Sequence, residues 1–136
     1  MSTNQTERYN LHLWEPGDNF LRAEFNENFE AVDAALGGKI GAVFGSYVGD
    51  NTREQKIELG FTPAAVFVIE EHGRLTNGND VYGGLALPGL PVVARRESLP
   101  VVTVTEGGFL VYYEYSNYGV VGSNIGVNYY IAFRET

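Results

Sequence analysis

Residues 55–71, QKIELGFTPAAVFVIEE, change their hydrophobic period half-way along. Ile57, Leu59 and Phe61 alternate with Lys56 and Glu58, as in a strand with one wet face. From residue 64 to residue 69 the alternation stops and the run is apolar on both sides, which requires a strand inside a sheet or one covered on its outer side by a neighbour. Between the two halves, Gly60 permits an unusual backbone angle, and Pro63 holds its own φ while keeping Thr62 extended. The stretch reads as strand, tight connection and core strand, and it commits the chain to a β domain.

The rest of the composition supports that reading. Seventeen glycines without a collagen period, nine tyrosines and eight phenylalanines in 136 residues favour short strands joined by many turns. A chain of this length builds one modest core. Its net charge of −8 argues against a nucleic-acid or anionic-membrane surface, since phosphate contacts need Lys and Arg in numbers. Arg95 and Arg96 are the one adjacent basic pair that resembles a patch. There is no cysteine for a disulfide or a thiolate, no apolar run of membrane-spanning length, and residues 1–13 are too polar for a signal peptide.

Ahead of the β domain, Asp18 is placed as a helix N-cap, with the helix running from about Asn19 to Leu36 before Gly37 and Gly38 end it. Leu21, Phe25, Phe29, Val32 and Leu36 form one apolar stripe beside a polar face of Glu24, Glu27, Glu30 and Asp33. An isolated amphipathic helix of this length is marginal, so the stripe needs a partner surface. That surface is either the β domain of the same chain or the same region of other copies. The expected organisation is an arm and oligomerisation helix over residues 1–38, followed by a β domain over residues 39–136.

Roughly seven or eight strands are expected in that domain, arranged as an antiparallel β-sandwich with Greek-key or jelly-roll connections. The closing segment 127–134 alternates cleanly, and Val127, Tyr129, Ile131 and Phe133 are the larger set, expected to be core. Residues 82–94 carry too many prolines and glycines for a central strand and read as an edge strand and rigid loop with Leu85, Leu87 and Leu90 turned inward. Residues 70–80 and 116–124 are turn-rich excursions, the first with an Asn77-Gly78 turn signal.

Catalytic patterns are thin. His72 beside Glu70 and Glu71 lacks a third metal ligand at useful spacing, no serine sits in a nucleophile elbow, and adjacent glutamates on a strand point to opposite faces. The asparagine-rich turns at Asp50, Asn51, Asn77, Asn79 and Asp80 contain no calcium-binding loop. The expectation is a non-enzymatic protein without metal or cofactor. Tyrosine supplies broad contact area at low entropic cost, and asparagine supplies paired donor and acceptor atoms, a combination suited to sugars or protein surfaces. Tyr112, Asn117, Tyr118, Asn124, Asn128 and Tyr130 are therefore the candidate contact residues, with Asn117 and Tyr118 the most exposed.

The segment YNLHLWEPGDNFLRAEFNENFEAVDAALGG resembles the opening of tail-fibre and baseplate receptor-binding proteins of phages and prophages of Gram-positive bacteria, on Trp14, Glu15, Pro16, Phe25, Asn26, Asn28, Phe29, Asp33, Ala34 and Ala35. The phrases around Gly60-Phe61-Thr62-Pro63 and Tyr130-Ile131-Ala132-Phe133 are similar to the small β tip domains of such fibres. The resemblance implies a homotrimer carried on a virion or phage-tail-like particle, made in the bacterial cytoplasm and acting outside the cell. Its partners would be other tail or baseplate proteins and a host cell-surface glycan or protein, or, in the alternative, tail proteins alone for an assembly subunit. There is almost no shaft between Gly38 and the β domain, which implies a short tip or accessory subunit.

Overall fold

A computed structural model describes residues 1–95 and 98–135, in two compact units, Met1–Lys39 and Ile40–Glu135. Arg96, half of the basic pair, lies outside the described residues.

In the first unit β1 (Asn4–Gln5) pairs antiparallel with β2 (His12–Leu13), and α1 spans Arg22–Gly37. The helix starts later than its sequence pattern predicts, because Asp18 is used elsewhere. Its carboxylate accepts from the backbone N–H groups of Thr3 and Glu15, each at 2.8 Å, and from the Thr3 hydroxyl. Leu21 takes the N-cap position with no side-chain cap. The arm folds back on the acidic face of the helix. Glu24 is buried there, accepting from Ser2 N at 2.8 Å and Trp14 Nε1 at 3.1 Å, while the Asn28 amide brackets the His12 backbone, accepting from its N–H and donating to its C=O. The other face stays exposed: Leu21, Phe25, Phe29, Val32 and Leu36 are all solvent-accessible. Trp14, Phe20, Phe25 and Phe29 form a ring ladder with centroid spacings of 4.8, 5.3 and 4.8 Å.

The second unit is a mainly antiparallel β-sandwich, one of whose sheets curls part-way into a half-barrel. Its strands are β3 (Gly41–Val48), β4 (Glu54–Glu58), β5 (Ala65–Glu70), β6 (Thr76–Asn77), β7 (Asp80–Val81), β8 (Gly84–Ala86), β9 (Val92–Ala94), β10 (Leu99–Thr105), β11 (Gly108–Ser116), β12 (Gly119–Gly122) and β13 (Val127–Arg134). They exceed the expected number because four of them, β6 to β9, are two- or three-residue pieces too short to leave a periodic signal. One sheet has the order β3-β13-β5-β8. The other has β6-β7-β12-β11-β10-β9, with β4 on β11. β4 and β5 therefore belong to different sheets, and the Gly60-Phe61-Thr62-Pro63 connection is a crossing between them. Gly60 takes φ 79, Leu59 and Gly60 both donate to Gly107 O, and the Thr62 hydroxyl accepts from Gly107 N at 3.0 Å.

The core lies between the sheets, with Val66, Val68, Ala86 and Ala132 on one side and Ile57, Val101, Val102, Phe109, Val111 and Val121 among its other members. Tyr130 inserts its ring 5.1 Å from Phe109, over Gly45, where a Cβ would collide with the tyrosine ring. The closing strand thus has the opposite orientation from the one its amplitudes predict. Asn128, Tyr130 and Ala132 face inward, and Val127, Tyr129, Ile131 and Phe133 face outward. Leu85, Leu87 and Leu90 are likewise exposed rather than inward. Val66 and Ala86 are buried partners across β5 and β8, so Leu85, one residue on, must point the other way.

Candidate functional site

The two turn-rich excursions, far apart in sequence, meet at one end of the sandwich. β6 and β7 form a hairpin whose ladder ends at Asn77 and Asp80, leaving Gly78 and Asn79 as its tip, with Gly78 at φ 62. The turn signal at Asn77-Gly78 is thus displaced by one residue. β11 and β12 form a second hairpin closed by Ser116 and Gly119, with Asn117 and Tyr118 at its tip. Three features join these hairpins. Val120 N donates to Asp80 Oδ1 at 2.8 Å, Val121 pairs in parallel with Val81, and Gly119, at φ 149, sits so close to the Asn79 carbonyl that a Cβ would lie 2.5 Å from its oxygen.

Between them and Ala94, Arg95 and Leu99 lies a cleft of about 520 Å3. Val81, Val121, Leu99 and Ala94 form its apolar floor, and Thr76, Asn79, Ser116, Tyr118 and Arg95 supply its polar and aromatic rim. Ser116 is tied into the hairpin, its hydroxyl donating to Gly119 O at 3.1 Å and accepting from Tyr118 N at 3.2 Å.

A polar network braces the first hairpin from behind. The buried Glu70 carboxylate accepts from Arg74 N and Nε, both at 3.0 Å, and lies 3.0 Å from His72 Nδ1. The Arg74 side chain, opposed by desolvation and helped by His72, holds the Glu70 carboxyl down to about 2. The Arg74 guanidinium also lies 5.5 Å from the centre of the Tyr82 ring, and the Tyr82 hydroxyl donates to Asp80 Oδ2 at 3.2 Å. Burial, and then the Asp80 charge, push the Tyr82 phenol up from its ordinary value.

The structure separates the six candidate contact residues. Asn117 and Tyr118 are exposed at the hairpin tip, Tyr118 lining the cleft at 53% exposure. Tyr112 and Tyr130 are half-buried and packed on the core, Tyr112 donating its hydroxyl to Thr103 Oγ1 at 3.2 Å. Asn124 and Asn128 are fully buried. Asn124 holds Asp50 and Thr52, and Asn128 donates to Ile125 O and Gly126 O while its Oδ1 has no hydrogen-bond partner among the described residues, so both amides brace loops. Thr76, Asn79, Ser116 and Arg95 join the site instead. Their only local signal was membership of turn-rich segments.

No family model, curated protein or solved structure matches the chain. The chemistry of the site therefore rests on its own groups. Hydroxyls, an amide, a guanidinium and a phenol above an aliphatic floor can hold a polar ligand by hydrogen bonds and stacking. Among the described residues, no three His, Cys, Asp or Glu side chains converge to hold a metal.

Proposed function

We propose that the chain is a non-enzymatic adhesin subunit of a phage or prophage tail, which attaches to a host cell-surface glycan or protein through the cleft between the two hairpins. The observation that carries this reading is the convergence of the 70–80 and 116–124 excursions on that cleft, with Tyr118, Asn79, Thr76 and Arg95 displayed from a braced β scaffold. Rigid presentation of aromatic and amide groups lowers the ordering cost of binding. The likeness of the helix and of the Gly60-Phe61-Thr62-Pro63 phrase to fibre proteins supplies the particle context. The exposed stripe on α1 offers a means of joining copies into a trimer.

Adsorption of labelled protein to a panel of Gram-positive cells tests the reading. The wild type binds at least one strain, and an Asn117→Ala, Tyr118→Ala double variant binds at least ten-fold less. Equal adsorption of the two proteins removes the cleft from the proposal. A second reading, an assembly subunit that contacts only neighbouring tail proteins, draws on the same exposed stripe. Crosslinking to particle components without adsorption to any strain selects it.

A further inference from the structure

We propose that the cleft between the two hairpins takes an acidic saccharide, one whose uronate carboxylate or phosphodiester is received by the Arg95 guanidinium. This rests on the reading of the cleft as a binding site and names the chemistry of its ligand. Among the described residues, Arg95 is the only charged side chain on the cleft wall. The chain carries 17 Asp and Glu, yet none of the described ones lines that wall. Asp80 stands between two lining residues, Asn79 and Val81, but its carboxylate is engaged elsewhere: Oδ1 accepts from Val120 N at 2.8 Å and Oδ2 from the Tyr82 hydroxyl at 3.2 Å.

Arg95 also differs from other cations of the chain. Arg53 lies 3.8 Å from Glu114, Lys56 3.2 Å from Glu58 and Arg74 3.0 Å from Glu70, while Arg134 covers the Phe61 ring at 5.1 Å. No described carboxylate comes within ion-pair distance of the exposed Arg95 side chain. The side chains of Thr76 and Asn79 on the same wall make no hydrogen bond to another described residue. A guanidinium, an amide and a hydroxyl, all able to donate, therefore face one concavity. A cleft lined by a single sign of charge concentrates the opposite ion, and the planar fork of arginine matches a carboxylate or a phosphodiester with two parallel hydrogen bonds.

The floor and the size point to a sugar as the carrier of that anion. Val81, Val121, Leu99 and Ala94 offer an aliphatic surface for the C–H face of a ring, and Tyr118 supplies a phenol at the rim. The volume of about 520 Å3 lies within the ~300–1,000 Å3 of small-ligand clefts, whereas a protein partner is recognised over a surface of ~800 Å2 on each side. A neutral sugar would cover the guanidinium without neutralising it, and a charge taken out of water without a counterpart is costly. An acidic one supplies the missing partner.

NMR titration of the isotope-labelled full chain tests this with two matched pairs of probes. Tri-galacturonate against its methyl ester examines the carboxylate, and methyl glucosyl phosphate against methyl glucoside examines the phosphodiester. At least one acidic probe should shift the amides of Asn79, Gly119 and Val120 saturably and bind at least ten-fold tighter than its neutral counterpart; which one does so identifies the source of the anion. Arg95→Gln should weaken that binding at least ten-fold, and Arg95→Lys, which keeps the charge but not the fork, should fall between. Asn79→Asp, which brings a carboxylate to the wall, should weaken it as well. Neutral probes that bind as tightly, acidic probes that leave the cleft amides unmoved, or wild-type affinity in Arg95→Gln overturn the inference. Adsorption to cells separates it from the adhesin reading. If a strain binds Arg95→Gln as well as wild type but loses the Asn117→Ala, Tyr118→Ala variant, or if its binding is abolished by protease and untouched by periodate, the acidic saccharide falls and the adhesin stands. If acidic probes bind a protein that adsorbs to no strain, the adhesin reading falls and this one stands.

Discussion

Asn124 and Asp50, 74 residues apart, hydrogen-bond in both directions: Asn124 Nδ2 donates to Asp50 Oδ1 at 2.8 Å, and Asp50 N donates to Asn124 Oδ1 at 3.2 Å. Asn124 Nδ2 also donates to Thr52 O at 2.8 Å, and Asn124 O accepts from Asn51 N at 3.1 Å. One buried amide thus locks the turn between β3 and β4 to the connection that feeds β13. Asn51 takes φ 61 in that turn, a strained angle that asparagine tolerates better than most residues.

Removing this amide deletes its part-buried hydrogen bonds to Asp50 and Thr52 and leaves a small void, so Asn124→Ala should cost about 1–3 kcal/mol. Asn124→Asp should cost more at neutral pH, because it faces the Asp50 carboxylate with a second one, and the difference should shrink on acidification. Urea unfolding of both variants at two pH values measures this. A loss within about 0.5 kcal/mol of zero for Asn124→Ala would show that the lock contributes nothing.

Glu70 sets an acid limit on the domain. Its folded carboxyl titrates near 2 against an ordinary 4.5, chiefly through the Arg74 side chain. A depressed carboxyl stabilises fully above the unfolded value and loses that contribution as pH falls towards the folded one. The denaturant midpoint of the wild type should therefore drop between pH 4.5 and pH 2. Glu70→Gln should start lower at neutral pH and drop less across that window. Parallel slopes for the two proteins would disprove the assignment.

The elements that were legible in the sequence are those whose signal is local. The change of period at residues 55–71 and the stripe on α1 follow from spacing alone. Which face of β13 is inside did not follow. Both of its faces carry large side chains, and the choice depends on Gly45, on a different strand, leaving room for the Tyr130 ring. Asp18 shows the same limit at a helix end, since its partner Thr3 was not visible in the capping pattern. For the candidate site, both excursions could be read as loops, but their meeting depends on Asp80 reaching Val120 across the fold. Asn124, in a turn-rich excursion, and Asn128, on the smaller face of the closing strand, read as surface amides; their burial is tertiary.

Gly119 fixes the spacing of the cleft. At φ 149, with the Asn79 carbonyl oxygen 2.5 Å from any added Cβ, Gly119→Ala must strain the backbone or push the hairpins apart. A stability loss of about 2–3 kcal/mol is expected, with faster hydrogen exchange at the Val120 amide as its bond to Asp80 opens. Gly60→Ala is the comparison, since it has φ 79 but nothing within 4 Å. That change should cost about 1 kcal/mol and leave Val120 unaffected. Equal effects at Val120 would rule out the steric account.

Tyr47 sets the alkaline limit. Its hydroxyl is buried and donates to Ser123 O at 2.5 Å, and burial pushes its phenol well above the ordinary 10.0. A raised phenol keeps its proton in the folded chain while the unfolded chain loses it, so stability should fall as pH rises through the ordinary value. Ultraviolet difference titration should show one tyrosine ionising only on unfolding. Tyr47→Phe should remove that late step. It should also cost about 1–2 kcal/mol at neutral pH, because Ser123 O loses its buried donor. A late-ionising tyrosine that survives the substitution would assign the step to another residue, with Tyr82 the next to test because burial raises it too.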